Sequence, residues 1–283
     1  MSTHALASAA LPVSAGDGHR WTLLARIPAA PRQALLWLPA LGVAARHYLP
    51  FAEALAAQGV AVFLHEWRGN GSSTLRPSRT QDWGYRQLLC EDLPASHAAI
   101  AQHSALPTAI GGHSLGGQLA CCYAALHPQA FAQLWLVASG TPYWRHFAAP
   151  RRYLLPLAYR FLPWLAQRQG VLHGRRLGFG GTEARSLIAD WARVGLSGRY
   201  AAAGLAADLE TLLAQLSAPV RGLLLQDDWM APETSLRALL RKMAPHTLDL
   251  RSLDAVQLGT AADHFAWMKR PAAVAQALLG SAD

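Results

Sequence analysis

Lysine is almost missing from this chain of 283 residues: Lys242 and Lys269 are the only two. The formal charge of +8 therefore comes from arginine, and no lysine-rich tract or basic strand interleaved with aromatics supports a nucleic-acid partner. A bias toward Ala, Arg and Leu is what GC-rich coding produces, so the charge alone identifies no partner. Cysteine is scarce too. Cys90, Cys121 and Cys122 give neither a disulfide framework nor metal-ligand spacing, and the adjacent pair sits in an apolar helical stretch where inert buried thiols are usual. No run of eighteen apolar residues occurs, which excludes a transmembrane helix, and Met1 to Arg20 has neither the basic start nor the apolar stretch of a signal peptide. Those absences point to a reducing cytoplasm. Charged residues are only 15% of the chain against 52% hydrophobic, a globular balance rich enough to build a core without staples.

Short apolar runs alternate with longer helical patterns, which predicts an α/β fold with a mostly parallel sheet covered on both faces. Strands are expected over Trp21–Ile27, Ala34–Leu38, Val60–His65, Pro107–Gly111, Gln133–Ala138, Val220–Leu225 and His246–Leu250. Helices are expected over His47–Gln58, Gln87–His103, Leu115–Leu126 and Ala272–Leu279. Residues 1–20 read as a loose tail. Residues 21–140 and 218–283 form the core, and 141–217, which breaks the alternation, reads as a helical cap over the sheet's C-terminal edge. Open α/β sheets bind ligands at that edge.

The strongest motif is Gly112-His113-Ser114-Leu115-Gly116, directly after a predicted strand and directly before a predicted helix. Small flanking residues permit a sharp turn that presents the serine oxygen, while the helix N-terminus faces any negative charge that forms there. Serine needs a base, and the base needs an orienting acid. The order on such a scaffold is serine, acid, histidine. Asp227 and Asp228 both follow a late strand, and Asp228 is preferred because Asp228-Trp229-Met230-Ala231-Pro232 has the Asp-x-x-x-Pro form of that loop. Of twelve histidines, His264 stands between the last strand and the last helix. His246 opens a strand, His113 sits inside the elbow, and His4 and His19 lie in the tail. The two oxyanion donors are expected to be the main-chain N–H of Leu115 and one in Pro39-Ala40-Leu41-Gly42, where register against the usual His-Gly-x turn picks Leu41.

These residues resemble the α/β-hydrolase superfamily from about Leu35 to Leu279. The chain is most similar to a group of uncharacterised bacterial hydrolases near the serine-aminopeptidase-like and lysophospholipase-like branches. Pro39-Ala40-Leu41-Gly42-Val43 resembles that group's oxyanion turn, and Arg68-Gly69-Asn70-Gly71-Ser72 resembles a superfamily loop. Asp82-Trp83, Asp92-Leu93-Pro94-Ala95 and Leu177-Gly178-Phe179-Gly180 match as well. Asp263 stands where the resemblance leads one to expect glycine. The resemblance implies an α/β-hydrolase fold with a Ser114, Asp228, His264 triad, no cofactor and no metal.

From Thr141 to Gly181 there are seven arginines and no acidic residue, together with aromatics that include Tyr143, Trp144, Tyr153, Phe161 and Trp164. Tyr143, Trp144, Trp229 and Phe265 are the expected substrate contacts. One reading makes the segment a plain lid whose apolar face covers a pocket for a small-molecule acyl substrate. The other adds an anionic partner for the arginines: an acyl carrier protein, an acyl-CoA or a phospholipid surface. Three functions stay open at this point. They are ester or thioester hydrolysis, hydrolysis of small amides with an acidic clamp drawn from Glu183, Asp190, Asp208 or Glu210, and ligand binding without catalysis.

Overall fold

The computed structural model describes residues 6–280; His4, in the expected tail, lies outside them. One eight-stranded sheet runs β1 (Ala7–Ser14), β2 (Arg20–Ile27), β4 (Val60–Leu64), β3 (Gln33–Leu38), β5 (Thr108–His113), β6 (Gln133–Val137), β9 (Val220–Leu225), β10 (Leu248–Leu253). From β4 to β10 every pairing is parallel; β2 joins β4, and β1 joins β2, antiparallel.

The central strands are apolar throughout because both of their faces are covered. Alternate residues of β3 enter different cores: Leu36 and Leu38 pack with Phe63, Ile110, Leu119 and Leu136, whereas Leu35 and Trp37 pack with Phe51, Val62, Trp135 and Trp267. Of the helices, α1 (Leu49–Ala56) and α10 (Ala272–Leu279) contribute to the second core. The first core takes in α2 (Tyr85–Gln87), a π turn over Leu88–Asp92, α3 (Leu93–His103) and α4 (Leu115–Leu126). Between β6 and β9 the chain inserts α5 (Arg151–Gln169), the two-residue strands β7 (Leu172–His173) and β8 (Thr182–Glu183), α6 (Arg185–Ser197) and α7 (Leu209–Gln215). After β9 come α8 (Glu233–Leu240) and, past β10, α9 (Ala255–Leu258).

Two expectations are corrected. Residues 7–20 are not a loose tail: β1 pairs with the whole of β2, and Ala9, Leu11 and Val13 pack on the first core. That period-two pattern is real but weak, being carried by small residues around Pro12 on an edge strand. The last strand starts at Leu248, which leaves His246 exposed before it.

A buried polar network ties this N-terminal hairpin to the core. His19 Nδ1 lies 2.9 Å from Asp92 Oδ1, and its Nε2 lies 2.9 Å from Ser73 Oγ. The string has the order of a catalytic triad, but Arg68 donates to both oxygens of Asp92, at 2.8 and 2.7 Å, and also pairs with Asp17. All of its members are buried except Asp17. It is a structural lock on the Arg68–Ser73 loop.

Candidate active site

The elbow follows from local sterics. Ser114 takes φ 56 and ψ −121, between the end of β5 and the start of α4. Two residues to either side of it there is no room for a side chain: a Cβ on Gly112 would lie 2.3 Å from the Gly116 carbonyl carbon, and one on Gly116 would lie 2.1 Å from Leu38 O. Ser139 Oγ donates to the Ser114 carbonyl at 2.7 Å and Ser114 N donates to Val137 O at 3.2 Å, so the strained turn is held from β6.

Between the two acid candidates the structure brings Asp228, not Asp227, to the histidine. His264 Nδ1 donates to Asp228 Oδ2 at 2.7 Å, and Asp228 Oδ1 accepts from the amides of Met230 and Ala231 at 2.8 and 3.1 Å. Asp228 and His264 are each 5% exposed, whereas Asp227 is exposed. Trp267 Nε1 donates to the His264 carbonyl, which fixes the backbone beneath the ring. The hydrogen bonds among the described residues do not include one from Ser114 Oγ to His264. The ring is nevertheless next to the elbow, its centroid 4.7 Å from that of His113. Such contacts commonly tighten only when substrate is bound.

Asp263 finds a local reason. Its Oδ1 accepts from Phe265 N and Ala266 N at 2.9 and 2.8 Å, capping the turn that presents His264.

The Leu115 amide opens α4, and Leu41 lies in the turn after β3. Among the described residues neither amide donates to a protein acceptor. Two features escaped sequence reasoning. Tyr48, fully buried, accepts from Ala40 N at 2.9 Å and reaches His113 Nδ1 at 2.8 Å, so one hydroxyl joins the residue before Leu41 to the residue before Ser114. Burial pushes the Tyr48 phenol up and the His113 imidazole down, so Tyr48 donates its proton to a neutral ring. The second feature is Gly42, at φ +71, where a Cβ would lie 2.1 Å from Gly181 N. The insertion thus touches the Leu41 turn directly. Glu183 holds that contact by accepting from Gly181 N at 2.6 Å, and burial raises its carboxyl to about 7. No sequence motif marks Tyr48; the tight Gly180-Gly181 step was visible, but its partner was not.

A cavity of about 280 Å³ opens at Ser114. Gln118 and Ala138 line it from the core side; Pro142, Phe147, Leu155, Ala158, Tyr159, Leu162, Phe179 and Trp191 line it from the insertion. Trp229 and Met230 complete the wall, and no carboxylate or arginine is part of it. Tyr159 donates to the Pro142 carbonyl at 2.6 Å, which anchors α5 over the cavity. Of the four expected substrate contacts only Trp229 lines this space. Phe265 lies beside His264 on an adjoining recess. Tyr143 and Trp144 are not in the wall: the Tyr143 ring packs on Gly198 at the end of α6, and Arg145 lies over Trp144. A 3-10 turn over Trp144–His146 separates Pro142 from Phe147, and these two residues flanking the Tyr143–His146 stretch supply the contacts instead.

A mostly parallel sheet with a serine elbow between a central strand and its helix defines an α/β hydrolase. Residues 29–252 match the family model of the serine aminopeptidases, S33, so the chain belongs to this family of α/β hydrolases. Solved structures agree on the fold. A hydrolase from Pseudomonas aeruginosa PA01 superposes with a TM-score of 0.63 at 17% identity, covering 98% of both chains. The esterase domain of a Rhodothermus marinus protein gives 0.60 at 17% identity over 95% of each chain. The thioesterase domain of the curacin biosynthetic pathway gives 0.57 at 16% identity, over 97% of this chain and 98% of that one. No curated protein matches the sequence.

Proposed function

We propose that this hydrolase cleaves carboxylic esters or thioesters through an acyl-enzyme. Ser114 attacks the acyl carbon while His264 takes its proton; Asp228 holds the ring in the Nδ1–H tautomer and stabilises the imidazolium. The oxyanion is received by the amides of Leu41 and Leu115, helped by the N-terminal dipole of α4. His264 then returns the proton to the leaving alkoxide or thiolate. Water, deprotonated by the same imidazole, releases the acid. No cofactor takes part. Three unpaired cysteines, two of them buried, suit the reducing cytoplasm in which we place the enzyme.

The observation that carries this reading is the cavity at Ser114: it is apolar and has no carboxylate. A peptidase acting at a free amino terminus needs an anionic clamp. The four acids that could supply one are engaged elsewhere. Glu183 holds Gly181 N, Asp190 takes Tyr85 N and Arg193, Asp208 caps α7, and Glu210 takes Tyr200 N and Lys242. An acyl chain needs only apolar walls, which Leu155, Ala158, Leu162 and Phe179 provide. The test is a panel of p-nitrophenyl esters and acyl thioesters run beside aminoacyl anilides. The esters or thioesters turn over with kcat/KM at least tenfold above any anilide; an anilide preference refutes the assignment.

A further inference from the structure

Helix α5 is apolar on two opposite sides. Its inner side, with Leu155, Ala158 and Leu162, faces the cavity. Tyr153, Leu154, Leu157, Phe161 and Trp164 are 62, 60, 65, 50 and 53% exposed. At 3.6 residues per turn these five fall within an arc of about 100°, opposite the cavity-facing positions. A surface helix normally turns polar residues outward, and so large a contiguous apolar face marks a place where water is replaced by something else.

The charges that this segment itself carries have one sign. Arg160 and Arg168 lie on or beside the arc, with Arg168 over the Trp164 ring at 5.5 Å and Arg152 over Tyr153 at 5.3 Å. Arg151 covers Trp229, itself 48% exposed, at 4.5 Å, and Trp229 lines the cavity. No acidic residue occurs anywhere from Thr141 to Gly181. The face is a convex ridge of aromatic and leucine side chains flanked by arginines, and the hollow lies behind it. A ridge of this kind suits a deformable anionic surface better than an acidic protein, which would have to supply a matching groove. Among the described residues no helix is long and apolar enough to cross a membrane, so a lipid surface would meet α5 along its side.

We propose that the outer face of α5 docks on an anionic lipid surface. Tyr153, Leu154, Leu157, Phe161 and Trp164 enter the headgroup and acyl boundary, and the surrounding arginines pair with lipid phosphates. The cavity rim at Trp229 then faces the lipid. Docking needs no chemistry at Ser114, so it stands or falls apart from the hydrolytic assignment.

The test uses the full chain carrying Ser114→Ala, sedimented with vesicles of phosphatidylglycerol and phosphatidylcholine or of phosphatidylcholine alone. Binding to the anionic vesicles is expected to exceed binding to the neutral ones by at least tenfold and to weaken with salt; each arginine near the surface is worth about fivefold. A triple variant, Leu157→Ser, Phe161→Ser and Trp164→Ser, loses anionic binding at least tenfold. In the Ser114 background it keeps wild-type turnover of p-nitrophenyl acetate, because these side chains do not line the cavity. Arg160→Gln with Arg168→Gln narrows the gap between the two vesicle types. Failure of the unsubstituted α5 face to bind either vesicle overturns the proposal. So does equal binding by the triple variant, or a saturable complex with an acidic acyl carrier protein in the absence of vesicle binding.

Discussion

Replacing Glu183 by glutamine isolates one burial cost and makes it measurable. The Glu183 carboxyl is almost wholly buried, and desolvation raises it from 4.5 to about 7 despite the hydrogen bond from Gly181 N. Arg68 borders the same small recess, but its guanidinium is committed to Asp92 and Asp17. A raised carboxyl favours folding fully below the unfolded value. That contribution falls as pH rises through 4.5 and is gone above about 7, because the unfolded chain releases its proton first. The interval corresponds to about 3 kcal/mol. Glutamine keeps an oxygen for Gly181 N and has no proton to lose. Thermal unfolding followed by circular dichroism should therefore give variant and parent midpoints within about 2 °C at pH 5, whereas at pH 8 the variant melts roughly 5 °C higher. Since Gly181 abuts Gly42 beside the Leu41 amide, ester turnover by the parent should also drift relative to the variant over this window. Parallel melting curves from pH 5 to 8 would show that Glu183 is not held protonated and would refute the reasoning.

Three further outcomes follow from the same geometry. Asp228→Asn turns a donor toward His264 Nδ1 and imposes the wrong tautomer, so kcat falls roughly 10³–10⁴-fold with little change in KM, measured on p-nitrophenyl esters. Tyr48→Phe strands Ala40 N and His113 Nδ1 in the interior; it costs about 1–3 kcal/mol in urea unfolding and lowers kcat more than it raises KM. Ala158→Phe fills the cavity wall, so kcat/KM for long-chain esters drops about tenfold or more while the acetate ester is spared, read across a chain-length panel.

Sequence pattern was most informative where one local rule dominates. The helix Leu115–Leu126 and the strand Val220–Leu225 have the bounds expected of them, because a glycine-flanked serine marks the first and a continuous apolar run the second. The Asp228 and His264 pair was readable from loop form and chain order. What escaped is what depends on distant partners. Strand β1 hides in small residues whose burial is supplied by β2. His19 looked like a tail residue, yet it is buried between Asp92 and Ser73, far along the chain. Tyr48 and the Gly42–Gly181 contact join the elbow, the Leu41 turn and the insertion, and no local spacing encodes either. Tyr143 and Trp144 were misplaced for a related reason: composition locates aromatics in a segment, but only the path of the chain decides which of them face the cavity.

The central claim is that Ser114 is a nucleophile activated by His264, and a fluorophosphonate probe read by intact mass and peptide mapping tests it most directly. Folded parent protein is predicted to take up one probe, on the peptide containing Ser114, with Ser114→Ala unlabelled and His264→Ala labelled far more slowly. No labelling of folded parent protein, or labelling that persists in Ser114→Ala, would contradict it.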